Sequence, residues 1–199
     1  MSLKKKFGET QKISRLEGIY FEYMGKFTDA EKVYESLLEK NPLDKMTWKR
    51  KVCMLRTVGY TDQAINEMNR YLEVFQDDLD AWEELCDIYL NIQHYSQAAY
   101  CYEEVVLAFP DNFWVILKYG EILYSIGGPE KMVLARKYFV ESLILNPKCL
   151  RGKWLLLQCC NAINLVKPDQ INTKLKEKAL KLIYKAYEKS KFDVKQIIA

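Results

Sequence analysis

The side chains that could carry chemistry in this 199-residue chain are few: one imidazole, six thiols and two adjacent pairs of acids. His94 lies in Gln93-His94-Tyr95, a turn-like setting with no second histidine to share a proton or a metal. It reads as a structural or solvated residue. The thiols are Cys53, Cys86, Cys101, Cys149, Cys159 and Cys160, and none forms a Cys-x-x-Cys pair. Neither a zinc ribbon nor a dithiol redox site can be built from such spacing. Cys159 and Cys160 are neighbours, which suits neither joint ligation nor a mutual disulfide. All six are expected to pack as small apolar residues in a reducing compartment. Glu83-Glu84 and Glu103-Glu104 are adjacent acids. Neighbours on a helix diverge by about 100° and do not face a shared proton. There is no glycine-rich phosphate loop, no Gly-x-Ser-x-Gly elbow and no His-Glu-x-x-His. The expectation is a protein without catalytic residues, metal or cofactor.

The elements that carry these residues follow from composition and period. With 49% hydrophobic and 29% charged residues the chain is an ordinary globular composition, and 8 glycines and 5 prolines favour helices over hairpins. Ala30, Ala64 and Ala98 are 34 residues apart, as are Trp48 and Trp82, Gly25 and Gly59, and Tyr34, Met68 and Tyr102. Pro42 and Pro110 lie two periods apart with Gln76 midway, and Gly8 stands one period earlier. A 34-residue period with these residue types is the tetratricopeptide signature. Each unit is a helix, a tight turn and a second helix. The alanine admits close helix approach, the next large residue fills the space one turn later, and glycine ends the first helix with φ > 0. The predicted fold is therefore all-α, a right-handed superhelix of antiparallel helix pairs.

The spacing predicts repeats at 11–44, 45–78, 79–112 and 113–149, with a degenerate fifth at 150–190 and a tail at 191–199. In the fourth, Gly127-Gly128-Pro129-Glu130 lengthens the turn, so Ala135 and Phe139 come three positions late. In the fifth, Lys167-Pro168-Asp169 is the loop, and Leu175, Ala179, Leu182, Ile183 and Ala186 form an apolar stripe on a second helix ending near Ser190. Residues 1–10 read as the end of a preceding repeat, with Leu3 to Gly8 as the tail of its second helix. A repeat array needs a polar cap at each end, and none is visible there. Earlier repeats in a longer reading frame are expected, and the uncovered face near Leu3 and Phe7 is expected to pair with a second copy in isolation.

Charge is segregated. From Tyr71 to Leu117 there is no lysine or arginine, yet ten of the 27 acids lie there; the other 17 share the remaining chain with all 30 cations. The net +3 does not suggest a nucleic-acid partner. In a tetratricopeptide array the first helices line the groove. The groove residues predicted on them are Lys12, Arg15, Tyr23, Lys49, Arg56, Asp80, Glu83, Asp87, Trp114, Glu121 and Tyr124. Such a groove is basic, then acidic, then aromatic, and fits a peptide of matching charge with aromatic anchors. Ile19 stands where a chaperone-tail clamp needs asparagine, and Asp80 and Glu84 stand where it needs cations, which argues against chaperone termini as ligands. The lysines of the last helix, Lys174, Lys176, Lys178, Lys181, Lys185 and Lys189, with Lys191 and Lys195 beyond, read as a solvated outer face.

Several segments go beyond the general repeat. Arg15-Leu16-Glu17-Gly18, Phe21-Glu22-Tyr23-Met24, Tyr71-Leu72-Glu73, Ala81-Trp82-Glu83-Glu84-Leu85 and Ala98-Ala99-Tyr100-Cys101-Tyr102-Glu103-Glu104 are joined by Gly127-Gly128-Pro129-Glu130 and Ala135-Arg136-Lys137-Tyr138-Phe139. From Leu3 to Ser190 the chain is similar to the subunit 2 family of the endoplasmic reticulum membrane protein complex, and the double-glycine insert is the specific part of the match. The resemblance implies a non-catalytic scaffold on the cytosolic face of the endoplasmic reticulum membrane. Its partners would be cytosolic segments of membrane subunits and a soluble subunit, in a complex that inserts tail-anchored and multi-pass proteins. It also implies further helical sequence before the matched part, and the end at Ile197-Ile198-Ala199 falls short of the family's last helix. The alternative is a free adaptor for peptide segments of soluble clients or chaperones. Membrane contact is expected only through partners: Met1-Ser2-Leu3-Lys4-Lys5-Lys6 precedes no apolar run, and Trp154 to Val166 is the longest uncharged apolar-leaning stretch, short of the roughly 20 residues that span a bilayer.

Overall fold

A computed structural model of the chain describes residues 10–166, 168 and 170–188. The expectations for Leu3 to Gly8, Lys167, Asp169, Lys189 to Lys195 and Ile197-Ile198-Ala199 lie outside the described residues. Among the described residues ten α-helices follow one another: α1 (Gln11–Tyr23), α2 (Phe27–Lys40), α3 (Lys45–Val58), α4 (Thr61–Val74), α5 (Leu79–Asn91), α6 (Tyr95–Ala108), α7 (Phe113–Ile126), α8 (Pro129–Leu145), α9 (Leu150–Val166) and α10 (Gln170–Tyr187). The all-helical fold with helices in consecutive pairs is the one the 34-residue period demands. Two compact units divide between Ala81 and Trp82, in the first turn of α5.

In the first unit α1 packs on α2, α2 on α3 and α3 on α4. The period-matched side chains form the core: Ala30, Tyr34, Leu37 and Leu38 on α2, and Ala64, Met68, Tyr71 and Leu72 on α4, are all buried. Size is complementary between the helices of a pair. A Cβ added at Gly18 would lie 2.5 Å from Tyr34 Cε1, so only glycine lets α1 lie against that ring. In the next period Val52 occupies the place of Gly18 and the flexible Met68 the place of Tyr34, both buried. Polar side chains start the first helix of each pair here. Thr10 accepts from the Ile13 N–H, and Asp44 accepts from the Met46 N–H.

In the second unit α6 packs on α7, α7 on α8, α8 on α9 and α9 on α10. Gly120 repeats the device of Gly18: a Cβ there would meet Phe139 Cε1 at 2.8 Å. The inserted turn places Gly127 at φ +76°, ψ −166° and Gly128 at φ +76°, ψ +153°. That region of backbone space is closed to residues with a Cβ, and Pro129 follows at the first turn of α8, where its missing N–H costs nothing. The extra residues thus restart the helix and bring Ala135 and Phe139 back into the core, both 0% exposed.

The last pair is held differently from the predicted stripe. Ala179 and Ile183 are buried, whereas Leu182 and Ala186 are exposed, so the buried face is narrower than its five apolar residues implied. Its third buried member is polar. The Asn172 amide donates to the Cys160 carbonyl and to Asn164 Oδ1, each at 2.7 Å, and Asn172 Oδ1 accepts from Arg136 Nη1 at 3.0 Å. One side chain of α10 therefore bonds both α8 and α9, satisfying groups that would be costly to bury alone. Among the described residues no helix is long and apolar enough to cross a membrane.

Candidate partner-binding surface

The predicted groove residues sit on the first helices of the pairs, and four of them, Arg15, Lys49, Asp87 and Glu121, form ion pairs within the chain. In the first unit Arg15 Nη2 pairs with Asp44 Oδ2 at 2.7 Å, and its Nε donates to Thr47 Oγ1 at 3.2 Å. One period later Lys49 Nζ pairs with Asp78 Oδ2 at 2.8 Å. Asp44 starts α3, and Asp78 directly precedes α5 and accepts from the Ala81 N–H at 3.2 Å. The same strap thus recurs: a cation on one first helix holds the aspartate that begins the next. Tyr71, from the core of α4, donates to Asp78 Oδ2 at 2.5 Å. Burial works against ionising these carboxylates. Hydrogen bonds from Thr47 and Arg15 nevertheless hold Asp44 below the usual range, and those from Lys49 and Tyr71 do so for Asp78.

A second cluster ties α1, α2 and α3. Glu22 accepts from Arg50 Nε at 2.9 Å, pairs also with Arg50 Nη2, and accepts from the Tyr34 hydroxyl. Burial, then the Glu22 carboxylate, pushes the Tyr34 phenol up. Beside it, the 4%-exposed Lys51 lies between Glu35 at 3.2 Å and Glu67 at 3.3 Å. Lys12 and Arg56 are exposed on α1 and α3, Tyr23 is 88% exposed, and Asp80 is exposed in the first turn of α5.

The second unit continues the pattern. Asp87 pairs with Lys118 at 3.0 Å, and Glu121 accepts from Arg151 Nε and Nη2 at 2.5 and 2.8 Å. Glu83 is half-buried. Burial, then the charges of Glu83 and Asp87, pushes the Tyr102 phenol up. Trp114 is 56% exposed and Tyr124 half-buried. Each unit thus pairs two of its predicted charges with residues about one period on, while Lys12, Arg56 and Asp80 stay exposed beside aromatic and apolar side chains. In the first unit these include Tyr20, Tyr23 and Met46, and in the second Trp114. Sequence reasoning missed the acceptors Asp44 and Asp78. The signal was present: Arg15 to Asp44 and Lys49 to Asp78 are both 29 residues apart and one period from each other, and where Glu83 replaces the cation, Asn112 replaces the aspartate.

The thiols largely match expectation, with one correction. Cys86, Cys101, Cys149, Cys159 and Cys160 are buried, but Cys53 is exposed, because its place on α3 turns away from the core residues Val52, Met54 and Leu55. Burial pushes Cys86 and Cys159 up to about 12 and Cys101 and Cys160 up to about 11. His94 is exposed at the start of α6, its ring stacked on Tyr89 at 6.4 Å. Among the described residues no group of three or more His, Cys, Asp or Glu could hold a metal.

Residues 8–126 match the family model described as the EMC2 TPR-like repeat domain. The chain belongs to the EMC2 family. It is 34% identical over 179 residues to ER membrane protein complex subunit 2-B of Xenopus laevis, covering 90% of this chain and 60% of that protein. To ER membrane protein complex subunit 2 of Dictyostelium discoideum it is 37% identical over 145 residues, 72% of this chain and 45% of that one. The chain thus spans about 60% or less of these relatives' length. Among solved structures it is similar to the C-terminal part of a TPR repeat-containing protein of Cytophaga hutchinsonii, with a TM-score of 0.67 at 17% identity, covering 94% of this chain and 72% of that one. That likeness shows the fold.

Proposed function

We propose that this EMC2-family chain is a non-catalytic scaffold subunit of an endoplasmic reticulum membrane protein complex, held on its cytosolic face by partner subunits. The observation that carries this reading is the family match over 8–126, with relatives whose names place them as subunit 2 of that complex. The geometry of the first helices supports it. Arg15, Lys49, Asp87 and Glu121 tie successive pairs together, as a rigid support requires, while uncovered aromatic side chains remain to anchor a partner.

In this reading Lys12, Arg15, Tyr23, Lys49, Arg56 and Asp80 in the first unit, and Glu83, Asp87, Trp114, Glu121 and Tyr124 in the second, line surfaces that cradle cytosolic segments of membrane subunits. A soluble subunit completes the assembly. The complex as a whole inserts tail-anchored and multi-pass proteins. The chain's part in that task is to position partners, because catalysis would need converging reactive groups.

Affinity purification of the tagged chain from cells tests the reading. Polytopic membrane proteins recovered in fixed stoichiometry are expected, and Trp114→Ala with Tyr23→Ala should reduce their recovery. Recovery of chaperones or a varied set of soluble clients instead would replace the scaffold by the free-adaptor reading.

A further inference from the structure

The lysines of α10 differ from the other lysines with defined partners. Lys49, Lys51 and Lys118 each lie within 3.3 Å of a carboxylate. Lys174, Lys178, Lys181 and Lys185 are all exposed, and none has a carboxylate partner among the described residues. Their spacing of i, i+4, i+7 and i+11 puts them within about 60° of one another on the helix and strings them over about 17 Å. The face is opposite the one that α10 buries through Asn172, Ala179 and Ile183. On one flank of the row, about 20° apart in projection and about three turns apart along the axis, stand Ile171, 62% exposed, and Leu182, 36% exposed. Five lysines against one glutamate, Glu177, leave this helix with a net positive face along the row.

We infer that this face of α10 docks an acidic amphipathic helix of a partner protein, its carboxylates spaced by helical turns and its apolar edge laid on Ile171 and Leu182. The argument is charge complementarity with geometry. A single row about 60° wide matches one rod lying alongside, with acids at the same helical spacing. α9, which packs against α10, adds no cation to the row: its exposed side chains include Gln158, Asn161 and Leu165, and Arg151 at its start is held by Glu121. The apolar flank gives a helix something to bury that a phosphate surface does not offer. Docking here is independent of the first-helix surfaces, so it can fail while the scaffold reading stands.

The test uses the full chain and a labelled 18-residue helical peptide with glutamates at i, i+4, i+7 and i+11 and a leucine edge, read by fluorescence anisotropy at low and moderate salt. A control peptide has the same composition with its glutamates scattered around the helix. The patterned peptide is expected to bind at least about tenfold more tightly than the scattered one, and to weaken as salt rises. Lys178→Glu with Lys181→Glu should reduce binding by about tenfold or more, and Lys178→Gln with Lys181→Gln by less, with the circular dichroism spectrum unchanged because these side chains support no contact. Leu182→Ser should weaken binding without changing its salt dependence. Equal binding of the two peptides, or no response to the lysine variants, overturns the inference. So does preferential binding, at the same protein concentration, to phosphatidylserine vesicles or to polyuridylate.

Discussion

Adding a single methyl group at Gly18 should unsettle the first unit. An alanine Cβ there would stand 2.5 Å from Tyr34 Cε1, 2.7 Å from Cζ and 3.0 Å from the hydroxyl oxygen. Carbon atoms in contact prefer about 3.5–4.0 Å, so the ring must retreat by about 1 Å. Tyr34 is 0% exposed, and its hydroxyl is held by Glu22, itself held by Arg50. The ring therefore cannot move without loosening that cluster. Overpacking costs about 1–3 kcal/mol, and loss of a hydrogen bond to a charged group about 1.5–3 kcal/mol. Alanine returns about 0.8–1.0 kcal/mol through its helix propensity. The net expectation is a destabilisation of about 2–4 kcal/mol, or a fall in Tm of roughly 5–15 °C for a chain of this size. Thermal and urea unfolding followed by far-ultraviolet circular dichroism measure it. Gly18→Ala combined with Tyr34→Met copies the pairing of Val52 with Met68 and should recover most of the loss. A Gly18→Ala chain as stable as the parent would refute the reasoning, because the α1–α2 approach would then not be set by the ring.

Other outcomes follow from the same physics. Asp44 and Asp78 have folded pKa values below their unfolded values, so their straps contribute fully above about pH 4, the unfolded carboxylate range, and are lost as pH falls through the folded values. Acid unfolding should therefore shift to higher pH and become less steep in Asp44→Asn and Asp78→Asn, as read by fluorescence against pH. Gln93 adopts φ +61° at the place in the period where Gly25 and Gly59 stand. Gln93→Gly should stabilise the chain by about 0.5–1 kcal/mol in urea unfolding, the relief of a left-handed non-glycine residue less the entropy that glycine adds to the unfolded state. A thiol-exchange reagent should titrate Cys53 rapidly in the native chain and the five buried cysteines only after denaturation.

The repeat was legible because it is a local and periodic demand. Alanine at 30, 64 and 98 can face a partner helix only if each intervening segment turns back on itself, and Gly25 and Gly59 do carry positive φ. The glycine rule missed Gln93, where the same helix-ending hydrogen bonds, from the Gln93 N–H to the Leu90 carbonyl and from the His94 N–H to the Tyr89 carbonyl, hold a left-handed turn on a residue that does not prefer it. The roles of Gly18 and Gly120 were also hidden, since their need for no Cβ lies in rings 16 and 19 residues away. Of the candidate surface, the residue types were readable and their availability was not. Arg15, Lys49, Asp87 and Glu121 looked like ligands for a partner's charges, yet each is matched by a residue about 30 positions on.

By itself, the sequence determined the helical class, the pairing of successive helices, the family and the absence of recognisable catalytic motifs. All of these are written in spacing and residue type within a window of one period. The tertiary structure alone decided which charges are spent within the chain and which remain available. The lysines of α10 and those of α3 are the same residue type on the same kind of helix, but only α3 lies against a neighbour that brings an acid within reach. The strength of an ion pair depends on separation and burial, and both are set when helices pack.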